Sequence, residues 1–82
     1  MLNDISIYPN PTTGIITIGN LARTGKVWSI EITDITGKIV SQTDISDNSS
    51  SVEIDLSWLE KGVYFIRLRG KDFKQIEKIV IQ

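Results

Sequence analysis

The fold class of this chain is decided by residues 59–68, LEKGVYFIRL, where a polar turn runs directly into a strand-like segment. Tyr64, Ile66 and Leu68 occupy alternate positions, which is the period of a β-strand with one buried face. Gly62 marks the turn before this strand. A tyrosine one residue into a late strand after a turn is also typical of a tyrosine corner in a β-sandwich. Residues 59–68 therefore predict an all-β fold with a core built from alternating side chains.

The rest of the chain has the same period of two, and no convincing stretch has the helical period of 3.6. In residues 27–33, VWSIEIT, the alternation places Trp28 with Ile30 and Ile32 in the core and the polar side chains on the other face. The predicted strands are residues 5–8, 15–18, 27–33, 38–43, 52–56, 63–69 and 74–81. Short strands joined by Gly, Pro, Asn and Ser turns are typical of a seven-stranded antiparallel immunoglobulin-like β-sandwich.

Three connections have turn chemistry. Residues 9–14, PNPTTG, contain two prolines that cannot donate to a ladder, and their Asn and Gly allow a tight reversal. The sequence Asp34-Ile35-Thr36-Gly37 predicts a hairpin turn with Gly37 at positive φ, and Asp34 is better explained as a turn former than as a catalytic base. Residues 57–62 are compatible with one helical turn, since their Ser and Glu have the spacing of a capping box and Gly62 is a stop, but six residues are too few for an independent helix.

The composition excludes most chemistry. The 82 residues contain no His and no Cys and carry a net charge of -1. The commonest general base, the thiol nucleophile and most transition-metal ligands are therefore missing, so we expect no enzyme, no metal site and no cofactor. The positive and negative charges are balanced, so we expect no nucleic acid partner. No stretch approaches the length of about 20 apolar residues that a transmembrane segment needs. We expect residues 1–82 to be a single domain.

One loop has oxygen ligands that need explaining. Residues 44–51 form the most polar segment and are expected to be the most mobile loop. Asp44, Asp47 and Asn48 lie on it, and such oxygens can hold calcium. Their spacing is not that of an EF-hand, so a solvated loop is the favoured interpretation and a calcium site the alternative.

Two surface features have a structural and a functional interpretation. Trp58 lies on the turn of residues 57–62, where it is expected to be a hydrophobic plug between the sheets, with a surface contact as the alternative. A small basic patch, more typical of a solubilising face than of a binding site, is formed by Arg67, Arg69, Lys71 and Lys74.

Three parts of the chain, taken in order, resemble a known family. They are residues 5–14 (ISIYPNPTTG), residues 33–40 (TDITGKIV), and residues 59–66 (LEKGVYFI) with the terminal residues 78–82 (KIVIQ). Together they are similar to the carboxyl-terminal sorting domain, type A, of the type IX (Por) secretion system of Bacteroidetes. The resemblance covers nearly the whole chain, and it is the combination of motifs at these spacings that makes it specific.

The resemblance implies a non-catalytic secretion signal at the end of a larger cargo protein, and we expect residues 1–82 to be excised from such a protein. In that family, the cargo transits the periplasm, and the outer-membrane translocon and its shuttle protein read the sandwich. A sortase-like peptidase commonly removes it, leaving a secreted or cell-surface cargo that can be attached to lipopolysaccharide. The alternatives are a fibronectin-III or Ig-like spacer, an adhesion module and a carbohydrate-binding module.

The sorting motif is carried onto this chain by the same resemblance. The matching positions are Pro9, Asn10, Pro11 and Gly14, then Asp34 and Gly37, then Gly62 and Tyr64, and finally Lys78, Ile79, Val80, Ile81 and Gln82. Strand addition needs an accessible last strand, so we expect the terminal strand and Lys78 to be read by the export machinery. Edge-strand self-association remains open, and Pro9 and Gly14 are expected to shape a turn rather than contact a ligand.

Overall fold

The computed structural model describes residues 5–19, 21, 27–45, 51–70 and 74–82, with the side chains of Val27 and Trp28 excepted. The strands of this part of the chain are β1 (Ser6–Tyr8), β2 (Ile15–Gly19), β3 (Val27–Thr33), β4 (Ile39–Asp44), β5 (Val52–Asp55), β6 (Gly62–Gly70) and β7 (Lys74–Ile81). They pair antiparallel, and the described residues contain no α-helix. The expected all-β fold is confirmed.

The strands form two sheets, with the orders β1-β2-β5 and β4-β3-β6-β7. β6 lies inside the larger sheet, between β3 and β7, where its alternating apolar residues are held from both sides. β7 is an edge strand, as its position at the end of the sheet order requires. This arrangement is the expected seven-stranded sandwich of immunoglobulin-like kind.

The core lies between the two sheets and is filled by the alternating side chains that the period of two predicts. Ile66 and Leu68 of β6 are fully buried, and Ile30 and Ile32 of β3 are each 1% exposed. The other buried apolar residues are Ile5, Ile16, Ile18, Leu21, Ile54, Leu56, Tyr64, Ile79 and Ile81. The predicted core position of Trp28 lies outside the described side chains.

The outer face of β3 differs from a simple solvated face. Glu31 is only 7% exposed, because two arginines of β6 lie over it. The Nη1 atoms of Arg67 and Arg69 lie 3.5 and 3.6 Å from its two carboxylate oxygens. Part of the predicted basic patch is therefore an ion-paired cluster on the outer face of the larger sheet, while Lys71 lies outside the described residues.

The predicted β3–β4 hairpin is confirmed. Gly37 has a φ of +92°, in the left-handed region that favours glycine. Asp34 Oδ1 accepts hydrogen bonds from the Thr36 N–H at 2.9 Å, the Thr36 hydroxyl at 2.6 Å and the Lys38 N–H at 3.1 Å. Asp34 is a turn former, as its position in the motif predicts.

The helical turn with which residues 57–62 are compatible does not form. The chain makes a single non-helical turn there, closed by a 3.0 Å hydrogen bond from the Leu59 N–H to the Leu56 carbonyl. Asp55, the last residue of β5, forms a side-chain turn here, since its Oδ1 accepts from the Ser57 N–H at 2.9 Å. Six residues are too few for an independent helix, and the following strand begins at once.

Trp58 is not a plug between the sheets. Its side chain is 63% exposed, and its indole N–H donates to the Asp55 carbonyl at 3.1 Å. Leu56 and Leu59 supply the apolar contacts of this turn to the core instead. The favoured interpretation of Trp58 is therefore wrong, and the surface position is correct.

The remaining expectations for this part of the chain concern a loop and the membrane. Asp44 is an exposed residue at the end of β4, whereas Asp47 and Asn48 of the candidate calcium loop lie outside the described residues, as do residues 46–50 altogether. Among the described residues, no helix is long and apolar enough to cross a membrane.

Candidate functional site at the terminal strand

The motif of Gly62 and Tyr64 lies beside the terminal motif, on the side of β7 that pairs with β6. In the antiparallel register, Gly62 pairs with Ile81 and Tyr64 with Ile79. Tyr64 is 8% exposed, and its hydroxyl donates to the Glu60 carbonyl four residues upstream at 2.7 Å. This contact confirms the predicted tyrosine corner, which fixes the start of β6 and thereby the strand against which the terminal residues pair.

The first motif reaches the outer edge of β7 through the side chain of Asn10. Its Nδ2 donates to the Lys78 carbonyl at 2.8 Å, and its Oδ1 accepts from the Val80 N–H at 3.1 Å. One carboxamide thus satisfies two peptide groups on the same edge, as the peptide group of a neighbouring strand would. Asn10 therefore contributes more than the tight reversal that the sequence predicts.

Thr12 continues the same contact with its backbone. Its N–H donates to the Val80 carbonyl at 2.9 Å, and its carbonyl accepts from the Gln82 N–H at 2.8 Å, which makes a parallel bridge beside Ile81. We call the five residues that make these four bonds the terminal clamp: Asn10, Thr12, Lys78, Val80 and Gln82.

Thr12 is a site residue that the sequence-based prediction missed. It is 2% exposed, and its hydroxyl donates to the Ile15 carbonyl at 2.9 Å and accepts from the Gly14 N–H at 3.0 Å. A hydroxyl residue two positions before a glycine is able to bond that N–H, which is the one local signal for its role. Its burial against β7 has no local signal.

Gly14 connects the first motif to the smaller sheet. Its carbonyl accepts from the Leu56 N–H at 2.8 Å, next to β5. A Cβ on Gly14 would lie 2.9 Å from the Ser57 Cβ, closer than packed carbon atoms allow. Residues 9–14 therefore reverse the chain, as predicted, and also join β7 of the larger sheet to the β2–β5 side of the smaller one.

The expected open edge is wrong for the terminal half of β7. The clamp occupies the outward Lys78 carbonyl, both outward groups of Val80 and the Gln82 N–H. The Lys78 side chain itself is exposed on the outer face, opposite Phe65. Among the described residues, this end of the sandwich presents a folded surface that includes the exposed Lys78 side chain, and the terminal half of its backbone edge is already paired.

Asp34 and Gly37 lie at the same end of the larger sheet but apart from the clamp. Their turn follows β3, and β6 separates β3 from β7. The hydrogen bonds of Asp34 stay within its own turn, where the Thr36 side chain first, and then the Lys38 and Thr36 N–H groups, hold the pKa of Asp34 below its ordinary value. The structure brings together the motif of residues 9–14, the motif of Gly62 and Tyr64, and the terminal motif. The hairpin of Asp34 and Gly37 lies apart from them at the same end of the sheet.

The site holds no arrangement suited to catalysis among the described residues. Its polar groups are a carboxamide, a hydroxyl and peptide groups that bond one another, and no group of three or more described acidic residues is placed to hold a metal.

A family model described as the secretion system C-terminal sorting domain matches residues 6–82. No curated protein matches the chain. The family match begins at the first residue of β1, spans every strand and includes all the motif segments that meet at the terminal clamp. The chain therefore belongs to the family of C-terminal sorting domains of the type IX secretion system.

Proposed function

We propose that residues 6–82 are a non-catalytic export address that the outer-membrane translocon and its shuttle protein recognise, so that an attached cargo crosses the outer membrane. A sorting signal of this family marks a secreted or cell-surface protein with the cargo upstream of the domain. The cargo reaches the machinery through the periplasm. A sortase-like peptidase then cleaves at or before β1 and leaves the cargo free or attached to the surface.

The observation that carries this proposal is the meeting of distant motif segments around one strand. Asn10 and Val80 are 70 positions apart in the chain, yet they share a hydrogen bond, and Tyr64 pairs with Ile79 on the other side of β7. A receptor that reads these segments together needs the folded sandwich, because only the fold places them side by side. This supports recognition of a surface that includes the sorting-motif residues and the Lys78 cation.

The proposal is tested by fusing residues 1–82 behind a signal peptide and a fluorescent reporter in a Bacteroidetes host. The reporter is expected in the medium or on the cell surface when the translocon is intact, and in the periplasm when the translocon is deleted. Periplasmic retention in both strains would contradict the proposal and favour a spacer or adhesion module. Deletion of residues 78–82 is expected to abolish export, and full export of that variant would exclude the terminal strand as part of the address.

Carbohydrate binding is a second candidate, because Trp58 and Tyr8 are the most exposed aromatic side chains among the described residues. Trp58 and Tyr8 are 63% and 51% exposed, and aromatic faces of this kind stack on sugar rings. A thermal-shift series with soluble oligosaccharides separates the two functions. An increase in Tm that is lost in Trp58→Ala supports sugar binding, whereas unchanged melting with every oligosaccharide leaves the export address as the function.

A further inference from the structure

The amino-terminal half of the β7 edge is open in the described part of the chain. Backbone groups of an antiparallel edge strand point outward at every second residue, and the clamp shows that Val80 is one of the outward residues. The register of β7 against β6 is continuous, so Ile76 and Lys74 also point their N–H and C=O groups outward. The N–H and C=O groups of Ile76 point away from β6, and no described residue pairs with them on the outer edge.

On the outer face, the side chains beside this open half are basic with an apolar centre, whereas the exposed Glu77, which pairs with Ile66, lies on the other face. Lys74, Ile76 and Lys78 lie on the outer face, opposite Arg69, Arg67 and Phe65, and Ile76 is 53% exposed. Arg67 and Arg69 share the single carboxylate of Glu31, so the described part of this face has more cationic than anionic groups. We call the segment Lys74–Lys78 the open edge.

We propose that the open edge is a site for β-strand addition by an extended acidic segment of a partner protein. The segment's backbone pairs with the outward groups of Ile76, and its outer-face side chains are acidic opposite Lys74 and Lys78 and apolar opposite Ile76. The added strand ends at Lys78, whose carbonyl Asn10 already occupies. This inference rests on the proposed function, since it specifies how the export machinery holds the domain.

A second copy of this chain fits the open edge less well than an acidic segment. The antiparallel register in which two copies overlap fully over residues 74–78 centres on Ile76, and it places Lys74 of each copy opposite Lys78 of the other. Like charges directly opposite each other destabilise a strand pair. The lysines therefore act against self-association and select an anionic occupant.

The first test titrates a synthetic peptide, acetyl-TETVTET-amide, into the isotope-labelled protein and follows backbone amide chemical shifts. The peptide reads the same in both directions, so its orientation on the edge does not alter the charge pattern. We expect saturable shifts centred on Ile76 and Lys78, and roughly tenfold weaker binding of the matched basic peptide acetyl-TKTVTKT-amide. Equal binding of the two peptides, or shifts elsewhere on the protein, would overturn the inference.

Two variants with a control sharpen this test. Ile76→Pro removes an outward N–H and no ladder bond to β6, so it is expected to keep the fold and abolish peptide binding. Changing both Lys74 and Lys78 to Glu is expected to reverse the preference between the two peptides. Lys38→Glu, at the β3–β4 hairpin, changes the charge away from the edge and is expected to leave the preference unaltered.

Export of the reporter fusion separates failure of this inference from failure of the proposed function. Translocon-dependent export of the wild type with retention of folded Ile76→Pro supports both. Equal export of both proteins overturns strand addition and leaves the export address standing. Retention of the wild type overturns the export address, and the peptide titration then decides the strand-addition site by itself. A dimer in sedimentation that Ile76→Pro abolishes would make a second copy the occupant and overturn the acidic one.

Discussion

Asn10 holds the edge of the terminal strand with its side chain. Replacing it by alanine removes both bonds to the edge of β7, and we expect a loss of about 1–2 kcal/mol in the free energy of unfolding. Hydrogen exchange of the Val80 amide is expected to accelerate with it. Asn10→Asp is the matched control, since it keeps an acceptor for the Val80 N–H and loses the donor to Lys78. Unchanged Val80 exchange in Asn10→Ala would show that the clamp does not hold the strand.

Tyr64 contributes one hydroxyl bond in addition to its packing. Tyr64→Phe keeps the ring in the core and removes the 2.7 Å bond to the Glu60 carbonyl, so we expect about 1 kcal/mol of destabilisation in urea unfolding. Tyr8→Phe serves as the control, because the Tyr8 side chain is 51% exposed. The free energy of unfolding of this variant is expected to equal that of the wild type. A Tyr64→Phe protein as stable as the wild type would contradict a stabilising tyrosine corner.

At the scale of elements, the loop of residues 9–14 fits against the turn after β5 only because position 14 has no side chain. Gly14→Ala places a Cβ 2.9 Å from the Ser57 Cβ, and overpacking of this kind costs about 1–3 kcal/mol. The double variant with Ser57→Gly removes one of the colliding atoms and is expected to recover part of that loss. Equal destabilisation with and without Ser57→Gly, measured by urea unfolding, would exclude the collision as the cause.

The Asp34 carboxylate of the β3–β4 hairpin is expected to make the stability of the fold depend on pH. The Thr36 side chain first, and then nearby N–H groups, lower the pKa of Asp34. The ionised carboxylate therefore stabilises the fold at pH values above its ordinary pKa of 3.8. This stabilisation is lost as the pH falls through the lower pKa of the folded state. We expect the Tm of Asp34→Asn to vary less with pH below 4 than that of the wild type. Parallel melting curves from pH 7 to pH 2 would contradict this.

At the scale of the whole molecule, stability comes from the layer between the sheets and not from the exposed aromatic residue. Ile66→Ala opens a cavity at a fully buried position and is expected to cost about 2–5 kcal/mol. Trp58→Ser is expected to cost less than about 1 kcal/mol, since the indole is 63% exposed. Thermal and urea unfolding of the two variants check this order, and a larger loss for Trp58→Ser would restore the plug interpretation.

The fold class, the core strands and the β3–β4 turn follow from the sequence by itself. Alternation placed Ile66 and Leu68 in the core, and the Asp-x-x-Gly pattern predicted the turn that Gly37 makes at positive φ. The turn at Gly62 likewise predicts Tyr64 near the start of the strand that follows it. These features depend on residues within a few positions of one another, where side-chain period and turn chemistry decide the conformation.

The tertiary structure decided which surfaces are covered. The period of two assigns a side chain to a face, but it does not specify what lies over that face, so Glu31 is buried under two arginines and Trp58 is exposed. It also carries no information on strand edges. The bond between Asn10 and Val80 joins residues 70 positions apart, and only the packing of the two sheets brings that side chain to the terminal strand. The other half of the edge is unpaired among the described residues.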